Sequence, residues 1–297
     1  MKIVHSFWSK PSLKNQDFHT DDRASGGWSD KKYHLMSWAL SCLRVREYYN
    51  NIELVTDEEG KALLVDKLKL PYTNVVIALN ALDKYNTDLW MLGKVYAYSI
   101  QNEPFIHIDN DVYIWKRFSG DIESAPLVAQ NIEINHAFYH NILNKVDNIL
   151  AIPKIIQEER KKTSDVFTAN TGIVGGSQLD FFNVYSDIIF KFIDDNLHKL
   201  ESINKSILGV AIEQYLYKVL ADHLKIPIVC YFDGLNTGNY SNLLNFYGIP
   251  YLTPFIHVIG SDNKKDKVIT EQVEIRLRME YPLYYYKIES LINKIDV

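Results

Sequence analysis

Apolar residues follow two different periods along the first 115 residues, and the two periods alternate. Short runs rich in β-branched residues predict strands at 2–8, 52–56, 74–79 and 105–108. Between these runs, apolar residues recur at helical spacing in 33–49, 58–68 and 89–100. Strands that alternate with helices favour the α/β class, here with a mainly parallel central sheet and helices on both faces.

The pattern beyond residue 120 is less regular. Further strands are predicted at 126–130, 227–231 and 255–260. Further helices are predicted at 136–149, 179–200, 203–224, 268–279 and 283–295, while 153–162 is either a short helix or a mobile charged segment. The 166–176 segment is predicted to be one short strand, interrupted by Asn170-Thr171-Gly172. Two polar or Asn/Gly/Tyr-rich stretches are predicted to be loops, at 12–30 and 233–250.

Composition changes this picture little. The 297 residues are 47% hydrophobic and 23% charged, with a formal net charge of −5, so a globular protein is expected and nucleic acid is not an expected partner. Cys42 and Cys230 lie far apart in apolar surroundings, which predicts buried free thiols in a reducing compartment. No signal peptide and no apolar run of about 18 residues is visible, so we expect a cytoplasmic protein without a transmembrane segment.

The most informative stretch is Asp109-Asn110-Asp111, which has apolar residues on both sides. Two carboxylates one residue apart offer the oxygen ligands that Mg²⁺ or Mn²⁺ prefers. Asp-x-Asp is common in ordinary loops, but a solvated loop would not be flanked by apolar runs. Ligands of parallel sheets bind beyond the carboxyl ends of the strands, where Ser6 and Asp57 are also expected.

Three further places offer candidate chemistry. Asn170-Thr171-Gly172 could let a ligand approach the backbone, or could be a bulge or tight turn. Glu213-Gln214 lies in an apolar helix, where Glu213 is either a base or sugar-orienting group in an acceptor pocket or a residue at an exposed rim. His257 is either a core histidine or a third metal ligand, and Lys264 or Lys265 behind it could hold a diphosphate. Lys94 could also face phosphates, or lie on a helix surface.

The order of these pieces resembles that of the GT-A glycosyltransferases, most of all the glycogenin and lipopolysaccharide galactosyltransferase group. There too, a strand ending in Asp-x-Asp precedes an Asn-Ala-Gly strand, an acidic-Gln helix and His-x-x-Gly with a lysine behind it. Thr171 stands where that group has alanine, and the lysine after Gly260 is displaced. The chain also resembles an uncharacterised bacterial group of transferases that share the start His5-Ser6-Phe7-Trp8.

The resemblance implies a Rossmann-like GT-A fold and a UDP-sugar or other nucleotide-sugar donor. It implies Mn²⁺ or Mg²⁺ held by Asp109, Asp111 and His257, and catalytic roles on the acceptor side for Glu213 and Gln214. The expected donor-binding residues are Ser6, Asp57, Lys94, Asp109, Asn110, Asn170, Thr171, Gly172, Gly260 and Lys264. The expected organisation is a single catalytic domain over 1–297, with an acceptor-side insertion at 130–165 and C-terminal helices at 268–297.

The function that follows is a metal-dependent, hexosyltransferase-like glycosyltransferase, with retention of configuration favoured and a glycan, peptide or small molecule as acceptor. One alternative is another metal-dependent nucleotide enzyme, such as a nucleotidyltransferase, but residues 6–11 do not form the glycine-rich first loop expected there. A second alternative is a non-catalytic nucleotide- or carbohydrate-binding module. The intact pair of carboxylates argues against such a non-catalytic module.

Overall fold

The structure is a computed structural model that describes residues 1–13, 25–232, 235–236 and 240–293. Parts of the two predicted loops, 14–24 and 233–239 apart from 235–236, lie outside the described residues, as do residues 294–297 of the predicted C-terminal helices. Within the described ranges, no helix is long and apolar enough to cross a membrane.

The described residues contain twelve strands. They are β1 (Lys2–Phe7), β2 (Ile52–Thr56), β3 (Asn74–Ile77), β4 (Phe105–Ile108), β5 (Val112–Ile114), β6 (Leu127–Ala129), β7 (Ile132–Ile134), β8 (Phe167–Ala169), β9 (Ile173–Gly176), β10 (Ile228–Cys230), β11 (Leu235–Asn236) and β12 (Phe255–His257).

The same residues contain twelve α-helices, with 3-10 helices between some of them. They are α1 (Lys10–Leu13), α2 (Lys31–Tyr48), α3 (Glu58–Lys61), α4 (Leu92–Ser99), α5 (Gly120–Glu123), α6 (Ala137–Val146), α7 (Lys154–Lys162), α8 (Leu179–Asn196), α9 (Lys205–Leu224), α10 (Ser261–Lys265), α11 (Lys267–Glu280) and α12 (Pro282–Ile292). A π-helix, Ala62–Lys67, continues α3, so the helix predicted at 58–68 is present but changes its winding.

The chain divides into two compact units. The first unit contains Lys84–Ile108 and the described part of Phe118–Asn239, with β4, β6 to β11 and α4 to α9. The second unit contains the described parts of Ile3–Asp83 and Tyr240–Val297 together with Asp109–Arg117, and it carries most of β1, then β2, β3, β5, β12 and the remaining helices.

A central sheet of seven strands confirms the predicted α/β class. In the second unit, β1, β2 and β3 pair in parallel, with Ile3 opposite Ile52 and Glu53 opposite Asn74. In the first unit the order is β10-β6-β9-β4, with β10 parallel to β6. Among the described pairings of this central sheet, only those of β9 with β4 and β6 are antiparallel, so the sheet is mainly parallel.

The prediction of one interrupted strand over 166–176 is wrong. Its two halves belong to different sheets, because β8 pairs with β7 in a three-stranded sheet and β9 pairs within the central sheet. The Asn170 side chain turns the chain between them by accepting a hydrogen bond from the Gly172 amide at 3.1 Å. In β9, a Cβ on Gly175 would lie 2.1 Å from the Phe105 carbonyl oxygen, so a side chain there would block the pairing with β4.

The core of the second unit is arranged around α2. The Asp30 side chain caps this helix by accepting a hydrogen bond from the Lys32 amide at 2.7 Å, and every residue from 34 to 45 is buried. Cys42 is one of them, which confirms the expected buried thiol, whereas Cys230 in the first unit is half-buried and that expectation is wrong.

A buried histidine, His5 on β1, packs against this helix. The Tyr72 hydroxyl lies 2.9 Å from His5 Nδ1, and the Ser41 hydroxyl lies 3.1 Å from Nε2. Because the Ser41 hydroxyl donates its own proton to the Val112 carbonyl at 2.7 Å, it accepts from His5 Nε2–H and Tyr72 donates to Nδ1. Complete burial lowers the pKa of His5 to about 3, so the ring is neutral.

Acid is therefore expected to destabilise the protein through His5. His5 takes up a proton below about pH 6.5 in the unfolded chain, but only near pH 3 in the folded protein. The stability that the neutral His5 contributes is therefore complete above pH 6.5, and it is lost as the pH falls towards 3. We expect a loss of about 3 kcal/mol between pH 7 and pH 4 from this residue. Urea unfolding at several pH values measures it. His5→Gln should make the dependence of the unfolding free energy on pH less steep, whereas His223→Gln, at an exposed position, should not. Equal slopes in His5→Gln and the wild type would contradict the assignment.

Candidate functional site

Two short strands of the second unit bring distant residues together at the turn that carries the two acids. The turn closes when the Val112 amide donates to the Asp109 carbonyl at 3.0 Å. Strand β5 then pairs antiparallel with β12, which places Val112 opposite His257. The Asp111 carbonyl accepts from the Val258 amide at 3.0 Å, so the ladder fixes His257 beside the acids.

Ligand atoms of Asp109, Asp111 and His257 all lie within 4.8 Å of one another, and the three residues form a group that could hold a metal ion. His257 Nε2 lies 3.5 Å from Asp111 Oδ1. Asp111 and His257 are each only 5% exposed, while Asp109 is half-buried. The predicted metal ligands are therefore gathered in one place within the second unit.

The chemistry of this group fits a divalent cation. Asp111 Oδ1 is buried and accepts no hydrogen bond from the described residues, although a buried carboxylate oxygen is costly without one. A cation bound by the two carboxylates and the imidazole would compensate that oxygen. Oxygen ligands with one imidazole suit Mn²⁺ and are compatible with Mg²⁺.

Lys264 on α10 places a positive charge at the same carboxylate. Its Nζ lies 2.7 Å from Asp111 Oδ2 and 3.4 Å from the Gly26 carbonyl. Burial by itself raises the pKa of Asp111, but the charge of Lys264 and the neighbouring His257 outweigh burial, so the pKa of Asp111 lies well below its usual range. Helix α10 begins directly after Gly260, whose positive φ of 79° favours glycine.

The segment 25–29 contacts α10 and was not predicted to be part of the site. The Ser29 amide donates to the Lys264 carbonyl at 3.2 Å, and Lys264 Nζ lies 5.9 Å from the centre of the buried Trp28 ring. Gly26 has a φ of 61°, and a Cβ there would lie 2.6 Å from His34 Nε2. The dipeptide Gly26-Gly27 is the sequence signal for this close approach, although its partner could not be identified from sequence.

In the first unit, Lys94 and Glu213 form a buried ion pair. Lys94 Nζ lies 3.2 Å from Glu213 Oε1 and 3.3 Å from the Thr171 carbonyl, and the Tyr98 hydroxyl donates to the same carboxylate oxygen at 3.3 Å. Lys94 is 8% exposed and Glu213 1% exposed. Neither residue lies at the surface, so both of the surface alternatives from the sequence are wrong.

Gln214 and Asn170, two other predicted site residues of the first unit, form hydrogen bonds with neighbouring residues of that unit. Gln214 accepts a hydrogen bond from the Tyr139 hydroxyl, which also contacts the buried Glu133. Asn170 is buried in the turn between β8 and β9, where its backbone carbonyl accepts from the Gln130 amide at 3.0 Å.

Two further residues of the second unit that were predicted to bind the donor, Asp57 and Ser6, belong to a helix cap and a strand. Asp57 is the N-cap of α3: Oδ1 accepts from the Gly60 amide at 2.8 Å, and Oδ2 accepts from the Ser9 amide and hydroxyl at 2.9 Å each. Both carboxylate oxygens of Asp57 therefore have hydrogen-bond partners within the chain. Ser6 lies within β1, opposite Val55, and is half-buried.

The fold and this cluster together define an α/β protein with a candidate metal centre. The chain belongs to DUF6734, a family of unknown function, which matches residues 1–291. No curated protein matches it.

Two solved structures of transferases are distantly similar. Mouse xyloside xylosyltransferase 1, in its apo form, has 12% identity and a TM-score of 0.38, covering 77% of this chain and 84% of its own. The inositol-1-phosphate CTP transferase from T. maritima has 12% identity and a TM-score of 0.36, covering 92% and 95%.

Proposed function

We propose that this protein is a metal-dependent glycosyltransferase of the GT-A type, which moves a sugar from a nucleotide-sugar donor, UDP-sugar in the first instance, to a hydroxyl acceptor. The observation that carries the proposal is the group formed by Asp109, Asp111 and His257, of which the last two are buried, with Lys264 at its edge. The sequence order shared with the glycogenin and lipopolysaccharide galactosyltransferase group supports the same function.

In this proposal Asp109, Asp111 and His257 hold Mn²⁺ or Mg²⁺. A cation at these ligands would neutralise charge on the diphosphate leaving group. Lys264 supplies a second positive charge that the chain itself places at the carboxylates. Asn110 and Gly260 also belong to the proposed donor site. Asn110 lies between the two aspartates, and Gly260 directly precedes α10, which carries Lys264.

Glu213 and Gln214 are the proposed acceptor-side residues. In a retaining transfer, the acceptor oxygen bonds to the anomeric carbon as the bond to the diphosphate breaks, and the hydroxyl proton passes to the departing phosphate. No protein base is then required. A carboxylate that already has a cationic partner, as Glu213 has in Lys94, suits an orienting role better than proton abstraction.

The test is hydrolysis and transfer by the full chain across UDP-, GDP-, CMP- and ADP-sugars, with Mn²⁺ or with EDTA. We expect release of free sugar and nucleoside diphosphate from a UDP-sugar in Mn²⁺ and none in EDTA. A nucleotidyl product formed from a nucleoside triphosphate and a sugar phosphate would instead identify a nucleotidyltransferase. Binding of UDP without turnover of any donor would identify a binding module.

Lys264→Gln is expected to raise the KM for the donor about tenfold or more. A hydrogen bond to a charged group contributes about 1.5–3 kcal/mol, and each 1.4 kcal/mol is a factor of ten. Steady-state kinetics with the active donor measures this. Lys265→Gln, at the exposed neighbouring position, is the matched control and should change KM little. Equal effects at both positions would show that Lys264 acts only through general surface charge.

A further inference from the structure

Helix α2 is buried along most of its length, yet it carries a stripe of polar side chains. His34, Ser37, Ser41 and Arg44 are all buried. Their spacing of three, four and three residues places them on one face of the helix. Buried polar groups need hydrogen-bond partners, so this face must be matched to polar groups on the element that it contacts.

Ser37 contacts the turn that carries the acids. The Ser37 hydroxyl donates to the Asn110 carbonyl at 2.8 Å, and the buried Tyr113 hydroxyl lies 2.7 Å from Ser37 Oγ. Since Ser37 has one proton and gives it to Asn110, Tyr113 donates to Ser37. The direction of both hydrogen bonds is thereby fixed.

Ser41, one helical turn further on, contacts the end of the same turn. Its hydroxyl donates to the Val112 carbonyl at 2.7 Å and lies 3.5 Å from the Asp109 carbonyl. The Ser41 hydroxyl accepts a hydrogen bond from His5 Nε2–H, and His5 Nδ1 accepts one from the Tyr72 hydroxyl. A neutral, buried histidine therefore orients Ser41.

All four carbonyls from Asp109 to Val112 accept hydrogen bonds. Two bonds come from the backbone, from Val112 to Asp109 and from Val258 to Asp111. The Asn110 and Val112 carbonyls each accept a hydrogen bond from one of the two serines of α2. The serines therefore hold the turn at two of its four carbonyls.

We propose that Ser37 and Ser41 are positioning residues that hold the Asp109–Asp111 turn so that both carboxylates converge on His257. This inference rests on the proposed metal-dependent function. Groups that orient metal ligands from outside the coordination sphere typically contribute 10–100-fold to metal affinity. Both serines contact the turn through its backbone carbonyls, so each acts through the backbone of the turn.

The experiment measures Mn²⁺ binding to the full chain by electron paramagnetic resonance, together with urea unfolding. The variants are Ser37→Ala, Ser41→Ala, the double variant and Ser41→Thr, which keeps a hydroxyl. The matched control is Ser186→Ala in α8, a buried helix serine that donates to the Val95 carbonyl at 3.1 Å in the first unit. Ser186→Ala loses a comparable hydrogen bond away from the acids.

We expect each alanine variant of α2 to weaken Mn²⁺ binding about 10–100-fold, the double variant to weaken it further and Ser41→Thr to recover most of the affinity. Ser186→Ala should lose similar stability and bind Mn²⁺ as the wild type does. Wild-type affinity in Ser37→Ala and Ser41→Ala would overturn the positioning role alone. A wild-type protein that binds no Mn²⁺ would overturn the proposed metal-dependent function, and the positioning role with it.

Discussion

Asp111→Asn is expected to lower Mn²⁺-dependent donor turnover about a thousandfold, a loss of about 4 kcal/mol of transition-state stabilisation. The substitution removes the charge of the most enclosed carboxylate of the group. It also takes the anionic partner from Lys264, which lies 2.7 Å away, so two contributions to the site fail at once. Donor hydrolysis over a range of Mn²⁺ concentrations measures the effect.

Asp109→Asn is the matched comparison, because it removes the same charge two residues away. Asp109 is half-buried and Lys264 contacts Asp111 instead, so we expect a smaller effect and a residual response to Mn²⁺. Unfolding curves of both variants separate a catalytic loss from a folding defect. Undiminished turnover in Asp111→Asn would remove the basis for the metal centre. Equal losses in the two variants would contradict only the ranking of the acids.

Lys94→Met is expected to destabilise the first unit by about 3–5 kcal/mol, because it leaves the buried Glu213 carboxylate without its ammonium partner. Urea unfolding at neutral pH measures the change. Lys191→Met is a matched control, since Lys191 pairs with Asp195 at 2.7 Å but is 75% exposed. Exposed pairs contribute about 0–1 kcal/mol, so the control should lose little.

The double variant Lys94→Met, Glu213→Leu tests the cause of that loss. Removing both charges leaves no uncompensated carboxylate, and apolar replacements of buried ion pairs are often neutral or stabilising. We therefore expect the double variant to recover most of the stability lost in Lys94→Met. If both variants are equally unstable, packing around the Lys94 side chain is responsible and the ion pair is not.

Local patterning was sufficient to find the acids and the α/β class. Apolar residues on both sides of Asp109 and Asp111 marked a turn in the core, because a solvated loop has no need of them. The contribution of His257 depended on resemblance. Its contact with Asp111 arises from the register of β5 and β12, which joins segments far apart in the chain and leaves no periodic signal in either.

The contacts of the buried helices were harder to predict. A lysine and a glutamate in two helices, Lys94 and Glu213, each had a surface interpretation, and only tertiary packing shows that they neutralise each other. The sequence gives no signal for the contacts of Ser37 and Ser41, because small hydroxyl residues scarcely interrupt an apolar helix pattern. The polar spacing on α2 was visible in sequence, but the carbonyls that it serves were not.

The pairing of β5 with β12 has a consequence for how such a chain can change in evolution. Side chains alternate between the two faces of a ladder, so a shift of one residue would turn His257 away from Asp111. A deletion or insertion of a single residue inside either three-residue strand should therefore be excluded by selection.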